Sequence, residues 1–256
     1  MPVEFYKALW GMEHLPLPEA LRWVEEHEYV GIETPVDTLL AAREAGFEGK
    51  GIALIFPTSI EEFEDGLEKS RRAAATKVTV HAGKDFWTEE AADDFFRRAL
   101  QLAAATGQEV NFETHRGRLL YTPASTAAFL VKHPTLRLCA DFSHWSCVCE
   151  SLLHDQEDAL ALAISRVGHL HARVGHEEGP QVPDPRAERW QGHTEHFCQI
   201  WDRVLAQVPA GETLTVDPEF GPQSYLWTDP ADERPLANLL EVCNWMRDHL
   251  SARWKV

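Results

Sequence analysis

Apolar and polar positions along the chain keep two periods in turn. Short runs that are apolar throughout or alternate every second residue are followed by longer stretches in which apolar residues recur every three or four positions. The first kind reads as buried strand: FYKALW (5–10), YVGIE (29–33), GIALIF (51–56), KVTVHA (77–82), EVNFE (109–113), LRLCAD (136–141), VGHLHA (167–172) and TLTVDPE (213–219). The second kind reads as amphipathic helix: PEALRWVEEHE, VDTLLAAREAG, SIEEFEDGLEKSRRAAA, TEEAADDFFRRALQLAAAT, PASTAAFLVKH, DQEDALALAISRV, a segment over 196–207, and RPLANLLEVCNWMRDHL. Several of these open on Pro, Ser, Thr or Asp with acids in the first turn, where the orphan N–H groups of a helix favour them. No Ser/Gly-rich linker interrupts the alternation, so a single domain over 1–256 is expected.

Eight strand–helix units in a chain of 256 residues match the size of an α/β (β/α)8 TIM barrel, whose reacting groups gather at the C-terminal ends of the strands. An open doubly wound sheet is the alternative. A nucleotide-binding sheet of that kind needs a Gly-rich phosphate turn, and neither G-x-G-x-x-G nor a Walker-type motif occurs.

A buried barrel strand should be apolar in its middle, with unusual polar residues at its last position. Here polar residues collect at the last positions: Glu33 in the second run, His81 in the fourth, Glu113 in the fifth, Asp141 in the sixth, His171 in the seventh, and Glu219 after the eighth. One such residue is most simply a hydrogen-bonded structural group or a helix cap. Several carboxylates converging on one barrel mouth would repel one another, and burying them unpaired costs many kcal/mol. A cation resolves the conflict. Glu113, Asp141, His171 and Glu219 offer three carboxylates and one imidazole, a donor set suited to one divalent ion, Mn²⁺ above all, with Mg²⁺, Co²⁺ or Zn²⁺ also compatible.

Charge narrows the partners. With 24 Lys and Arg against 41 Asp and Glu, the formal charge is −17, and such a surface repels nucleic-acid phosphates and anionic lipid headgroups. Arg71-Arg72 and Arg97-Arg98 are the largest basic clusters and fall on helix-like segments. The N-terminal residues lack the pattern of a secretory leader, and no run approaches the roughly 20 apolar residues of a membrane span. A cytoplasmic protein with a small-molecule partner is expected. Five cysteines without scaffold spacing suit reduced thiols, and Cys147 and Cys149 lack the second pair that a thiolate metal site would need.

The segments NFETHRG, ADFSH, HLHARVG and VDPEFG, with VGIE and VTVHAG in weaker support, resemble the xylose isomerase-like barrel superfamily. That group includes ketose 3-epimerases, hydroxypyruvate isomerase, inosose dehydratase and endonuclease IV. Each motif is short, and their order, one per successive strand, is the specific part. The resemblance implies that Glu113, Asp141, His171 and Glu219 hold one metal and that Glu113 and Glu219 exchange protons with a sugar carbon. It further implies that His144, in the D-x-x-H element 141–144, contacts a substrate oxygen. Dimers or tetramers occur in the group, so a homo-oligomer is compatible with it. The trinuclear zinc site of endonuclease IV needs a D-x-H element after the strand-seven histidine. Here the loop reads VPDPRAE, with Arg186 at the histidine's place.

The activity expected is therefore a metal-dependent isomerase or epimerase of a ketose or keto-sugar, working by glutamate-mediated proton transfer through an enediolate. A lyase or dehydratase acting on a keto-sugar or keto-polyol is the alternative, and a noncatalytic sugar-binding barrel is a second. Further substrate contacts are expected from His81, Glu33, His115 and Arg173, from Arg186 as a guanidinium able to bind a hydroxyl, carboxylate or phosphate, and from Trp10 as a stacking surface. Trp145, beside His144, is a second stacking candidate, whereas Trp23, Trp201 and Trp245 fall on helices and suit packing. The long loop VGHEEGPQVPDPRAERWQGH has the composition of a lid, with Gln181 and Arg186 as its contacts. The lack of a phosphate-binding signature favours an unphosphorylated substrate.

Overall fold

A computed structural model describes residues 3–256. Eight parallel strands close on themselves in chain order: β1 Val3–Ala8, β2 Gly31–Pro35, β3 Lys50–Ile55, β4 Lys77–Val80, β5 Val110–Glu113, β6 Leu138–Ala140, β7 Val167–His171 and β8 Leu214–Asp217. The helices α1 Leu17–Glu26, α2 Val36–Glu44, α3 Ile60–Arg72, α4 Glu89–Thr106, α5 Pro123–Lys132, α6 Phe142–Val148, α7 Glu157–Ile164, α8 Gln191–Gln207 and α9 Leu239–Trp254 occupy the connections and follow the last strand. The chain is a (β/α)8 TIM barrel.

The two-residue period of a strand sorts side chains between barrel and helices. Phe112 of β5 faces outward, its ring 6.2 Å from Phe63 of α3 and 5.3 Å from Phe96 of α4. Its neighbours Asn111 and Glu113 are thereby turned to the barrel interior. On β7 the same alternation turns His169 and His171 inward, where both reach Glu33 of β2. Caps set the helix starts: the side chains of Ser59, Thr88 and Thr122 each accept from a backbone N–H in the first turn of α3, α4 and α5.

Three boundaries differ from the sequence reading in a way that matters. β2 runs two residues past Glu33, while β4 and β6 stop one residue before His81 and Asp141. Asp141 is thus a helix N-cap, its side chain accepting from Ser143 N at 3.0 Å, and the residues after it, which no helix was expected to include, form α6. All five cysteines are free thiols, Cys139, Cys198 and Cys243 being buried. Among the described residues, no helix is long and apolar enough to cross a membrane.

Candidate active site

At the C-terminal end of the barrel, Glu113 ends β5, Asp141 caps α6, His171 ends β7 and Glu219 follows β8 by two residues. Each offers one donor atom, and these four atoms all lie within 4.8 Å of one another. The four residues are nearly inaccessible, with Glu219 the most open at 9% exposed over the whole residue.

The imidazole of His171 is oriented from behind. Its Nε2 donates to Glu33 Oε2 at 3.0 Å, and the same oxygen accepts from His169 Nε2 at 2.8 Å. His169 is itself fixed by Thr215, whose hydroxyl lies 2.8 Å from Nδ1. With Nε2 spoken for, His171 Nδ1 points into the cluster, 3.5 Å from Glu113 Oε1 and 3.4 Å from Glu219 Oε2. It has no hydrogen-bond partner among the described residues. A buried ring nitrogen aimed between two carboxylates, with its far side held by a third, has the arrangement of a metal-binding histidine and its orienting acid. The donor set fits a divalent ion, and these buried groups could bind one.

The local charges tell the same story. Burial disfavours the imidazolium of His171, yet Cys139, Glu219, Glu33 and Glu113 around it hold it well above the usual histidine range. Burial likewise opposes ionisation of Glu113 and Glu33, and adjacent histidines override it: His81 and His171 hold Glu113 well below the ordinary value, while His171 and His169 hold Glu33 low. Asp141 goes the other way. Burial, with Glu219 and Glu113 nearby, pushes it up to about 6 against the pull of Arg173. The pocket has more acids than its fixed cations balance, the condition that an added cation relieves.

Arg173 is one of those fixed cations. Its Nη2 pairs with Asp141 Oδ2, its Nη1 lies 3.2 Å from Glu219 Oε2, and its Nε donates to Ser143 Oγ at 3.2 Å. Nη2 also donates to His144 Nε2 at 2.7 Å. The guanidinium carbon stands 5.0 Å from the ring of Tyr225 and 5.9 Å from that of Trp10. Strongly desolvated but ion-paired, it stays charged, above even arginine's ordinary value.

A cavity of about 300 Å³ opens above the cluster, lined by Trp10, Glu33, Phe56, His81, Glu113, His115, Arg118, Arg173, Glu219 and Tyr225 among others. His81 pairs with Glu113 Oε2. His115 is kept neutral at neutral pH: burial, helped by His81 and Arg173 and opposed by Glu113, lowers it to about 3.

Several expectations are corrected. His144 is fully buried and outside the cavity lining, but it stays beside the cluster, its Nε2 3.7 Å from Asp141 Oδ2 and its ring behind that of His115 with centroids 3.8 Å apart. Trp145 is fully buried and donates Nε1 to Leu120 O at 3.0 Å, so its face is unavailable for stacking. Arg186 folds back on Asp184, Nη2 to Oδ2 at 2.8 Å, and is outside the cavity lining. Gln181 is buried and bonded twice to the backbone of Gly221, at 3.0 and 2.7 Å. That double tie fastens the loop after β7 to the segment after β8 and gives Gln181 a structural place rather than that of a free lid contact.

The sequence reading passed over Tyr225 and Arg118, which come from loops without periodicity, and over Phe56, which ends the apolar run 51–56 and lies one residue past β3. It also passed over Lys7 and Asp217, both fully buried. Asp217 pairs in register with His171, and burial, opposed by Lys7, raises it well above the usual carboxylate value.

No protein-family profile matches the chain, and no curated protein matches it in sequence. Solved structures do: 73 chains match, an endonuclease IV among them. The probable 3-DHS dehydratase AsbF from Bacillus anthracis superposes with a TM-score of 0.65 at 15% identity, covering 97% of this chain and 99% of its own. The 3-keto-D-glucoside 4-epimerase YcjR from E. coli gives 0.59 at 15% identity, with coverage of 98% and 99%. A xylose isomerase-like TIM barrel protein from Mycobacterium smegmatis, in complex with magnesium, gives 0.59 at 12% identity, with coverage of 97% and 95%. Likeness at this identity concerns the fold alone, and it is the (β/α)8 barrel that this chain shares with these structures.

Proposed function

We propose that the chain is a divalent-metal-dependent isomerase or epimerase of a ketose or keto-sugar. One observation carries the reading: the unpartnered Nδ1 of His171, buried between the carboxylates of Glu113 and Glu219 beneath an open cavity. Glu113, Asp141, His171 and Glu219 would hold the ion, Mn²⁺ being the best match to the donor set. Likenesses of fold to an epimerase, a dehydratase and a magnesium-bound barrel are compatible with this reading.

When bound, the ion supplies Lewis acidity, which acidifies the hydrogen alpha to the substrate carbonyl. The chain's own groups do the rest. Glu113 and Glu219 take up and return the proton. His81, paired with Glu113, and Arg173, 3.2 Å from Glu219, hold those carboxylates in place. Neutral His115 offers a hydrogen bond to a sugar hydroxyl, and Trp10, Tyr225 and Phe56 present aromatic faces to the sugar's C–H groups. Return of the proton to the opposite face gives an epimer, return to the neighbouring carbon gives an isomer, and loss of a β-hydroxyl gives a dehydration product.

The test is solvent exchange. In D₂O with Mn²⁺, candidate ketoses and keto acids incubated with the protein should gain deuterium at the carbon alpha to the carbonyl, and product analysis then separates epimer, isomer and alkene. Ligand binding without any label in substrate or product would leave a noncatalytic binding barrel in place of the enzyme.

A further inference from the structure

We infer that the ligand of this cavity carries an anionic group, a carboxylate or a phosphate, which Arg118 binds at the rim with Arg116 in support. The inference rests on the proposed reading of the cavity as the substrate site, and it goes beyond the expectation, drawn from motifs alone, of an unphosphorylated substrate.

The first ground is the path of the backbone. Directly after Glu113 the chain makes a tight turn over 115–118, closed by Arg118 N donating to His115 O at 3.2 Å. Gly117 takes φ +73° there, a left-handed conformation that costs glycine least. The turn carries two arginines, of which Arg118 lines the cavity and Arg116 stands against a lining residue. Arg118 lines the cavity, its guanidinium carbon 6.0 Å from the ring of Phe56. Arg116 stands 5.0 Å from the ring of Tyr225, another lining residue.

The second ground is the balance of charge within the site. The acids around the cavity floor share a few basic side chains within 4.0 Å: His171 lies near Glu33, Glu113 and Glu219, Arg173 near Asp141 and Glu219, His169 near Glu33 and His81 near Glu113. The basic rim has no such partners. Among the described residues, no carboxylate oxygen lies within 4.0 Å of Arg116 or Arg118, and the polar contact of Arg118 is one 3.3 Å hydrogen bond to Gly83 O. A chain with a net charge of −17 has acids in excess, yet places none against these two guanidiniums beside its cavity.

The third ground is recognition chemistry. A guanidinium is a planar fork of five donors that matches the paired oxygens of a carboxylate or phosphate, and stacking on an aromatic face presets its orientation. The acid-rich floor repels an anion, so the substrate would bind with its carbonyl end down and its charged end at the β5–α5 turn.

Three compounds on one six-carbon ketose skeleton test this: D-fructose, D-fructose 6-phosphate and 2-keto-D-gluconate. Their affinities for the Mn²⁺-loaded protein are measured by calorimetry at low and high salt, and deuterium exchange is read on the same samples. At least one anion should bind tenfold or more tightly than D-fructose, with an advantage that shrinks as salt rises. Which anion leads identifies phosphate or carboxylate. Arg118→Gln should reduce that advantage about tenfold and Arg116→Gln severalfold, with unfolding midpoints close to the parent's showing that both variants fold. Anions bound no more tightly than D-fructose, or an advantage unchanged in folded Arg118→Gln, would overturn the inference. Anion preference with no label in any compound would instead overturn the proton-transfer reading and leave the anion site standing.

Discussion

Glu219→Gln, assayed with its metal complement intact, should turn over about 10² to 10⁴ times more slowly than the parent, the range expected for loss of a general acid–base group. Glutamine keeps the shape of the side chain and an oxygen for Arg173, which lies 3.2 Å away in the parent, but it cannot accept a proton. Glu219 is the more telling of the two glutamates. Its side chain is 12% exposed against 1% for Glu113, so it is the more accessible of the two to a ligand in the cavity. Because both residues are also proposed ligands, kcat must be read beside metal content by elemental analysis. A fall in kcat at full occupancy locates the loss in proton transfer, a fall that tracks missing metal locates it in ligation, and full activity at full occupancy would remove Glu219 from the chemistry.

Arg173→Met should destabilise the metal-free protein by about 3–5 kcal/mol, the usual cost of removing one partner from a buried ion pair. Among the described residues, Arg173 is the only Lys or Arg within 4.0 Å of Asp141 or Glu219. Methionine fills much of the same space between Trp10 and Tyr225 while leaving those carboxylates without their guanidinium. A divalent ion at the cluster would restore charge, so Mn²⁺ should stabilise this variant; one site at a hundredfold excess over its dissociation constant contributes about 2.7 kcal/mol. Urea unfolding with and without Mn²⁺ reads both effects. A loss under about 1 kcal/mol, as for a surface pair, would show that the acids do not depend on Arg173.

What could be read in the sequence follows from what repeats. The eight strands and most helices were legible because burial imposes periods of two and of about 3.6 on consecutive residues. Glu113 and His171 were legible for the same reason, as polar residues ending apolar runs. Asp141 stood out too, although α6 behind it did not, since a seven-residue helix continuing an apolar run shows too little periodicity to separate. That omission misplaced Trp145, which the helix carries into the core, and hid that His144 is buried beside Asp141 rather than open to the cavity. The pairing of Glu33 with His171 spans 138 residues and arises only when β2 and β7 face each other across the barrel. Arg118 and Tyr225 reach the cavity from connecting segments, where no period marks which way a side chain points, and Phe56 was hidden as the last apolar residue of a run read as buried strand. Arg186 was assigned from its position in a motif, while Asp184, two residues away, captures it.

The central claim, one divalent ion shared by Glu113, Asp141, His171 and Glu219, is tested most directly by titrating metal-free protein with Mn²⁺ and following the free ion by electron paramagnetic resonance. The account predicts one tightly bound ion per chain, lost in His171→Ala. Affinity should increase with pH, because His171 is held protonated above the usual histidine range without metal and must give up that proton to bind it. Absence of binding, or the same affinity and stoichiometry in His171→Ala, would contradict the account.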